Sequence, residues 1–181
     1  MASHLALTYR HTVAINAPID ESPEEVRALL APLRHDFSVA VYSCENAFAV
    51  GAIIRVAHSF LAREIIVIGN APYYEKASMG MQKYESIVKL ADETAFFAHV
   101  GERPVWAFEK ERARQAVYDV DQFPKGVVLL FGSERFGLPV TVLDRVDHVI
   151  AIPMYGINNS FPVAIAAGIA MNEWARRKHR A

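Results

Sequence analysis

Residues 38–69, SVAVYSCENAFAVGAIIRVAHSFLAREIIVIG, decide the fold class. SVAVYS and EIIVIG are short β-rich apolar runs, and the AVGAIIRVAHSFLA between them is a helical pattern. Strands linked through helices build parallel sheets with both faces covered. The alternation continues downstream. MQKYESIVKLAD takes a helical place and TAFFAHV a strand place; PVWAFE, GVVLLFG, PVTVLDRV, HVIAIPM and a terminal helix follow. Between PVWAFE and GVVLLFG, ERARQAVY reads as a short helix and DVDQFPKG as a turn-rich approach to the next strand. The expected architecture is α/β, a parallel sheet with helices on both faces.

Upstream, ESPEEVRALLAPLRHD reads as a helix that covers a face or edge of this sheet. Ser22 can cap it, Pro23 suits its first turn, Glu25 completes a capping box, and Pro32 limits its far end. No repeat, low-complexity tract or linker interrupts the chain. One domain over residues 1–181 is expected, with 1–37 as an N-terminal extension and 38–177 as the core.

At 181 residues the chain can bury one substantial core. Its apolar share of 52% leans slightly high, which fits an oligomer that hides extra surface. The net charge of −1 does not mark the chain as a whole as a polyanion binder, but charge is uneven. Asp20, Glu21, Glu24 and Glu25 form an acidic patch, and the end, RRKHRA, is basic. The longest apolar run, Phe161 to Met171, is too short to span a bilayer, and the N-terminus lacks a basic segment followed by an apolar core. A soluble, unexported, cytoplasmic protein is expected. Cys44 is the single cysteine, and the histidines at 4, 11, 35, 58, 99, 148 and 179 show no ligand-like spacing with it, so no metal is expected.

Ligands of open α/β sheets bind beyond the carboxyl ends of the strands. Three stretches there carry unusual residues. In GSERFGLP, residues 132–139, Gly132 and Gly137 permit a tight turn that projects Glu134, and the spacing is not that of a phosphate loop. In IPMYGINNSFP, residues 152–162, a glycine, two asparagines and a serine can line a pocket, and Ser160 is also a good helix N-cap. In the apolar helix NAFAVGAIIRVAHSFLA, Arg55 must reach a partner, water or a ligand. Gly51 does not complete a dinucleotide fingerprint.

In order and spacing, NAFAVGAIIRVA, LLFGSERFGLP and IPMYGINNSFPVAIAAGIAMNEWARR resemble the three motifs of the SpoU family of AdoMet-dependent RNA ribose 2′-O-methyltransferases, within the SPOUT superfamily. KASMGMQKYESI is similar to the segment between the family's first two motifs, so the likeness covers about residues 38 to 177. The resemblance implies a C-terminal trefoil knot and a homodimer packed through the first-motif and terminal helices, where Ala164, Ala167 and Gly168 would permit close contact. It implies S-adenosyl-L-methionine held mainly by backbone groups of Phe131, Gly132, Ile152, Met154, Ser160 and Phe161, with further contributions from Ala98 to Val100.

The implied reaction transfers a methyl group in line from a sulfonium to a ribose 2′-oxygen, so the protein must align the partners and assist loss of a proton. Arg55 would stand near the 2′-hydroxyl and act through its charge, since an arginine does not give up its proton. Glu134 would hold Arg55 or the ribose, and Ser160 would orient AdoMet or its loop. Two positions depart from the family pattern. Ala49 and Pro162 stand where asparagines of one active-site region are usual, and Asn46, Asn158 or Asn159 are candidate replacements.

The expected substrate is tRNA or rRNA, with Arg176, Arg177, Lys178 and Arg180 as a phosphate-tracking surface. The alternatives are a non-catalytic knotted homologue that binds RNA or AdoMet, and methylation of a small molecule or protein on the same scaffold.

Overall fold

All strands among the described residues run parallel in a single seven-stranded sheet, in the order Ile87–Leu90, Ile65–Ile68, Ser38–Tyr42, Val128–Phe131, Val105–Phe108, His148–Ala151, Gln115–Ala116. The computed structural model describes residues 21–43 and 46–178. His4, His11, Asp20, Cys44, His179 and Arg180, named above, lie outside the described residues. The elements are α1 (Pro23–Leu30), β1 (Ser38–Tyr42), α2 (Ala47–Ser59), β2 (Ile65–Ile68), β3 (Ile87–Leu90), α3 (Glu93–Val100), β4 (Val105–Phe108), β5 (Gln115–Ala116), β6 (Val128–Phe131), α4 (Val140–Leu143), β7 (His148–Ala151) and α5 (Val163–Lys178).

The period of two along each strand divides the core into two layers. Val39, Val41, Ile65, Val67, Leu129 and Phe131 meet α2 and α5 on one face. Ala40, Ile66, Ile68, Val128 and Leu130 meet α3 and α4 on the other. Every residue of β2 and β6 is buried, which is why those strands read as unbroken apolar runs.

α1 starts as its sequence implies. Ser22 Oγ accepts from the Glu25 N–H at 3.3 Å, Glu25 Oε2 accepts from the Ser22 N–H at 2.7 Å, and a 3-10 turn at Ala31–Leu33 containing Pro32 ends the helix. In α2, Gly51 is fixed by contact rather than by conformation. A Cβ there would lie 2.7 Å from the Tyr74 carbonyl oxygen and 2.8 Å from Ala77 Cβ.

Two expectations are reversed. MQKYESIVKLAD forms a 3-10 turn at Met81–Lys83 followed by β3, and TAFFAHV forms α3. Short apolar runs carry too few residues for periodicity to choose between helix and strand, and here the flanks decide. Asp92 Oδ1 accepts from the Ala95 N–H at 2.9 Å, and Gly101, at φ +59°, ends the helix. ERARQAVY holds the strand β5 and a 3-10 turn at Val117–Asp119 instead of an α-helix. Its edge position beside β7 outweighs its local pattern.

Three buried ion clusters tie the layers together. Arg34 donates to both carboxylate oxygens of Glu85, at 2.6 and 3.1 Å, and His58 Nδ1 lies 2.7 Å from the same carboxylate, joining the segment after α1 to α2 and β3. Glu64 accepts from Arg103 at 2.6 Å and from the Ser38 hydroxyl at 3.2 Å, with His99 Nε2 at 3.0 Å. Arg177, 7% exposed, donates to the carbonyls of Val117 and Val120 and pairs with Glu173. No helix among the described residues is long and apolar enough to cross a membrane.

Arg34→Ala should lower the urea-unfolding free energy by about 3 kcal/mol, because the Glu85 carboxylate it abandons is fully buried. Burial pushes the Glu64 carboxyl up, but hydrogen bonds and charge from Arg103 and His99 outweigh it and hold the group below its ordinary 4.5. Glu173 is held down in the same direction by Arg176 and Arg177 against its own burial. A depressed carboxyl stabilises above its unfolded-state value and loses that contribution as pH falls through its folded value. Unfolding midpoints should therefore drop below about pH 4.5, and Glu64→Gln should lower them near neutrality and flatten the acid drop.

Candidate active site

β6, β4 and β7 are parallel neighbours, so residues 109–114, 132–139 and 152–162 all leave the sheet on one edge. Bonds between these exits set their spacing. The Glu109 N–H donates to the Ile150 carbonyl at 3.1 Å, the Arg114 N–H to the Val149 carbonyl at 3.2 Å, and Lys110 Nζ to the Asn159 carbonyl at 2.8 Å.

The turn after β6 is closed at its base. Ser133 and Gly137 exchange backbone bonds of 3.1 and 2.9 Å. Gly137 takes φ +63°, and a Cβ on Gly132 would stand 2.2 Å from the Gly137 carbonyl carbon, so both positions require glycine. The Phe136 N–H donates to Ser133 Oγ at 3.2 Å and fixes the tip. Glu134, Arg135 and Phe136 project from that tip and are exposed.

Beside the turn lies an open cleft of about 720 Å³, lined by Tyr42, Ser43, Asn46, residues 133–137 and Pro139. The exit of β1, the start of α2 and the turn after β6 thus share one space. Asn46 holds the start of α2 by accepting from the Phe48 N–H at 3.1 Å through Oδ1. Burial, with the Glu93 carboxylate adding to it, pushes the Tyr42 phenol up to about 12. Tyr42 therefore keeps its proton at physiological pH, and with its hydroxyl oxygen buried it borders the cleft through the rest of the residue.

Of the residues singled out in the sequence, Glu134 lies in this cleft and Asn46 joins it. Arg55 does not. It stands exposed nine positions along α2 from Asn46, about 13 Å at the helical rise, and its guanidinium makes no hydrogen bond or ion pair among the described residues. Phe131 and Ile152 are buried at 2% and 9%, so they can offer a ligand only backbone groups. Gly132 sits at the base of the turn, Met154 is partly exposed, and Ser160 and Phe161 stand in the exposed loop before α5.

Three local expectations need correction. Ser160 does not cap the terminal helix: α5 starts at Val163, and the Pro162 carbonyl accepts from the N–H groups of Ile165 and Ala166 at 2.9 and 3.0 Å. Pro162 thus occupies the cap position, where its missing N–H costs nothing. Ala98 to Val100 are not a strand exit but the last turn of α3, which precedes the amino end of β4. The exit of β4 is Glu109 and Lys110, and sequence reading missed both. PVWAFE was a legible strand whose final acid pointed to that exit. The basic terminal segment is not a free phosphate surface as a whole, because Arg177 is buried and Arg176 pairs with Glu173 at 2.8 Å.

Ala49 is 4% exposed and belongs to the core between α2 and the sheet. An apolar contact therefore replaces the amide usual there, whereas Asn46, three residues earlier, reaches the cleft. No group of three or more His, Cys, Asp or Glu side chains among the described residues could hold a metal ion.

The model of the SpoU rRNA Methylase family matches residues 36–172. The chain is 25% identical over 161 residues to a tRNA (guanosine(18)-2'-O)-methyltransferase of Thermus thermophilus, covering 86% of this chain and 82% of the relative. Among solved structures it resembles an AdoMet-bound rRNA methyltransferase from Sinorhizobium meliloti, with TM-score 0.71, 27% identity, and 83% of this chain and 59% of that one covered. It also resembles the SpoU methyltransferase AviRb of Streptomyces viridochromogenes in complex with AdoMet, with TM-score 0.72, 26% identity, and coverage of 81% and 59%. The chain spans about three fifths of the length of several other curated relatives it matches.

Gly132→Ala should cost about 1–3 kcal/mol in chemical unfolding, because the methyl group meets backbone that cannot withdraw. Gly156→Ala, whose Cβ would meet nothing nearer than 4.0 Å, should leave stability unchanged in the same assay.

Proposed function

Because this chain belongs to the SpoU rRNA methylase family, we propose that it methylates a ribose 2′-hydroxyl of tRNA or rRNA, using S-adenosyl-L-methionine. The observation that carries this reading is the closed turn after β6, which brings Glu134 into one cleft with the exit of β1 and the start of α2. AdoMet supplies a methyl group already activated on a sulfonium. Backbone groups of Phe131, Gly132, Ile152, Met154, Ser160 and Phe161 would hold it along the exits of β6 and β7. The donors and acceptors of those loops, with the Glu109 carboxylate at the exit of β4, suit an amino-acid end, a ribose and an adenine.

The remaining task is alignment and proton loss. Glu134 accepts a hydrogen bond from the ribose or from Arg55 and fixes the orientation of the nucleophile. Arg55 lowers the cost of negative charge on the 2′-oxygen as its proton leaves for water or an RNA phosphate. Asn46 provides an amide in the cleft where Ala49 and Pro162 provide none.

A homodimer through α2 and α5 fits this division of labour, since Arg55 stands away from the cleft of its own subunit. Exposed Phe161 and Ile165, at 37% and 53%, supply apolar surface near the start of α5. A trefoil knot belongs to the same reading. The insertion of β6 between β1 and β4, with α5 returning to pack on α2, supports it. We read residues 38–177 as the methyltransferase core, 1–37 as an extension, and the cytoplasm as the place of action.

Calorimetry should detect AdoMet binding, and its absence at high micromolar ligand would remove the reading. Nucleoside analysis of total RNA incubated with labelled AdoMet should show methylated ribose; cofactor binding with unmodified RNA would make the chain a non-catalytic homologue. Arg55→Ala should cut methylation about 100-fold or more while leaving AdoMet affinity within about threefold. Equal loss of both would assign Arg55 to the cofactor.

A further inference from the structure

An aromatic ring in the cleft is not used by the chemistry above. Phe136 is 74% exposed, two positions after Glu134 on the turn closed by Ser133 and Gly137. Its backbone is anchored by the bond to Ser133 Oγ, and Arg135 places its guanidinium carbon 5.1 Å from the ring centroid. The ring is mostly exposed within the subunit, so it adds little to folding, yet it sits on a turn closed by two backbone hydrogen bonds.

We propose that Phe136 is the stacking platform for the unpaired nucleobase of the nucleotide being methylated. This rests on the reading of the cleft as the ribose site. Three features converge on a base rather than another apolar group. Glu134 and Phe136 project from one turn into one cleft, so a ribose at the first places its base beside the second. The guanidinium of Arg135 puts a cation beside the ring, a charge suited to the phosphates of a nucleic acid. Asn46, also in the lining, offers a side-chain amide for a base edge. Stacking on a π face tolerates any base, whereas a base inside a duplex cannot reach the ring. Phe136 therefore selects flipped or single-stranded nucleotides and ranks them by stacking strength: purines above pyrimidines when nothing else differs.

The test uses the full chain and its Phe136→Ala and Phe136→Trp variants, with calorimetry for AdoMet and two RNA probes. One probe is a single-stranded oligoadenylate carrying 2-aminopurine, and the other is the same sequence as a duplex. The wild type should quench the single strand and not the duplex. Phe136→Ala should abolish the quenching and weaken single-strand binding about 10- to 100-fold. Its AdoMet affinity should stay within about twofold, and its melting temperature within about 2 °C. Phe136→Trp should keep the quenching and bind within about threefold of wild type. Unchanged single-strand binding by Phe136→Ala would overturn the proposal. So would conversion of a wild-type dimer to a monomer by that substitution, seen by sedimentation, because the ring would then belong to a second copy. Absence of AdoMet binding in the wild type removes the methyltransferase reading instead, and the RNA comparison remains readable without it.

Discussion

β6 is hydrogen-bonded along both edges. Ser38 to Val41 of β1 lie against one side and Val105 to Phe108 of β4 against the other, and all four of its residues are buried. A strand held this way has no freedom to slide, because a slip of one residue would exchange Leu129 and Phe131 for Val128 and Leu130 on opposite faces of the sheet. The turn that leaves it inherits that fixity. Gly132 against Gly137 then carries the constraint from the sheet to the tip, so Glu134 is positioned by the core rather than by a surface loop. The cleft depends on this chain of contacts more than on any group that lines it.

The arrangement also explains how two amides usual in the family can be absent without loss of the scaffold. Ala49 and Pro162 each satisfy a local demand: one fills the packed layer between α2 and the sheet, and the other carries the first carbonyl of α5. Neither position leaves an unsatisfied buried group. What changes is the polarity at those two positions, and Asn46 is the side-chain amide that lines the cleft.

How much was legible in the sequence differed by element. β1, α2, β2, β6 and β7 were readable because long apolar runs or clear caps marked them, and the Ser22 capping box formed as its spacing implied. The order of β3 and α3 was reversed because each is short, and the deciding signals, Asp92 and Gly101, lie outside the apolar runs themselves. Ser160 was a plausible cap by type, but the helix begins two residues too late for it. Of the site, Glu134 and the turn glycines were readable from spacing. The distance of Arg55 from the cleft was not, since nothing in a sequence says how far along a helix a neighbouring loop reaches. Glu109 and Lys110 were hidden by the misplaced strand at residues 94–100, which drew attention away from the real exit of β4.

The central place of β6 also sets a timetable for synthesis. β1 ends at Tyr42, and the strand that must lie between it and β4 starts only at Val128. At a translation rate of about 5–20 residues per second, this edge of β1 waits roughly 4–17 seconds for its partner on the ribosome, and the slot between β1 and β4 stays open for about the last 1–4 of them. During that interval β1 has an unpaired edge composed of Val39, Ala40 and Val41, and closing the gap early against β4 would exclude β6 for good. For this chain, the hazard in folding is less the stability of the finished sheet than the order in which its middle is filled.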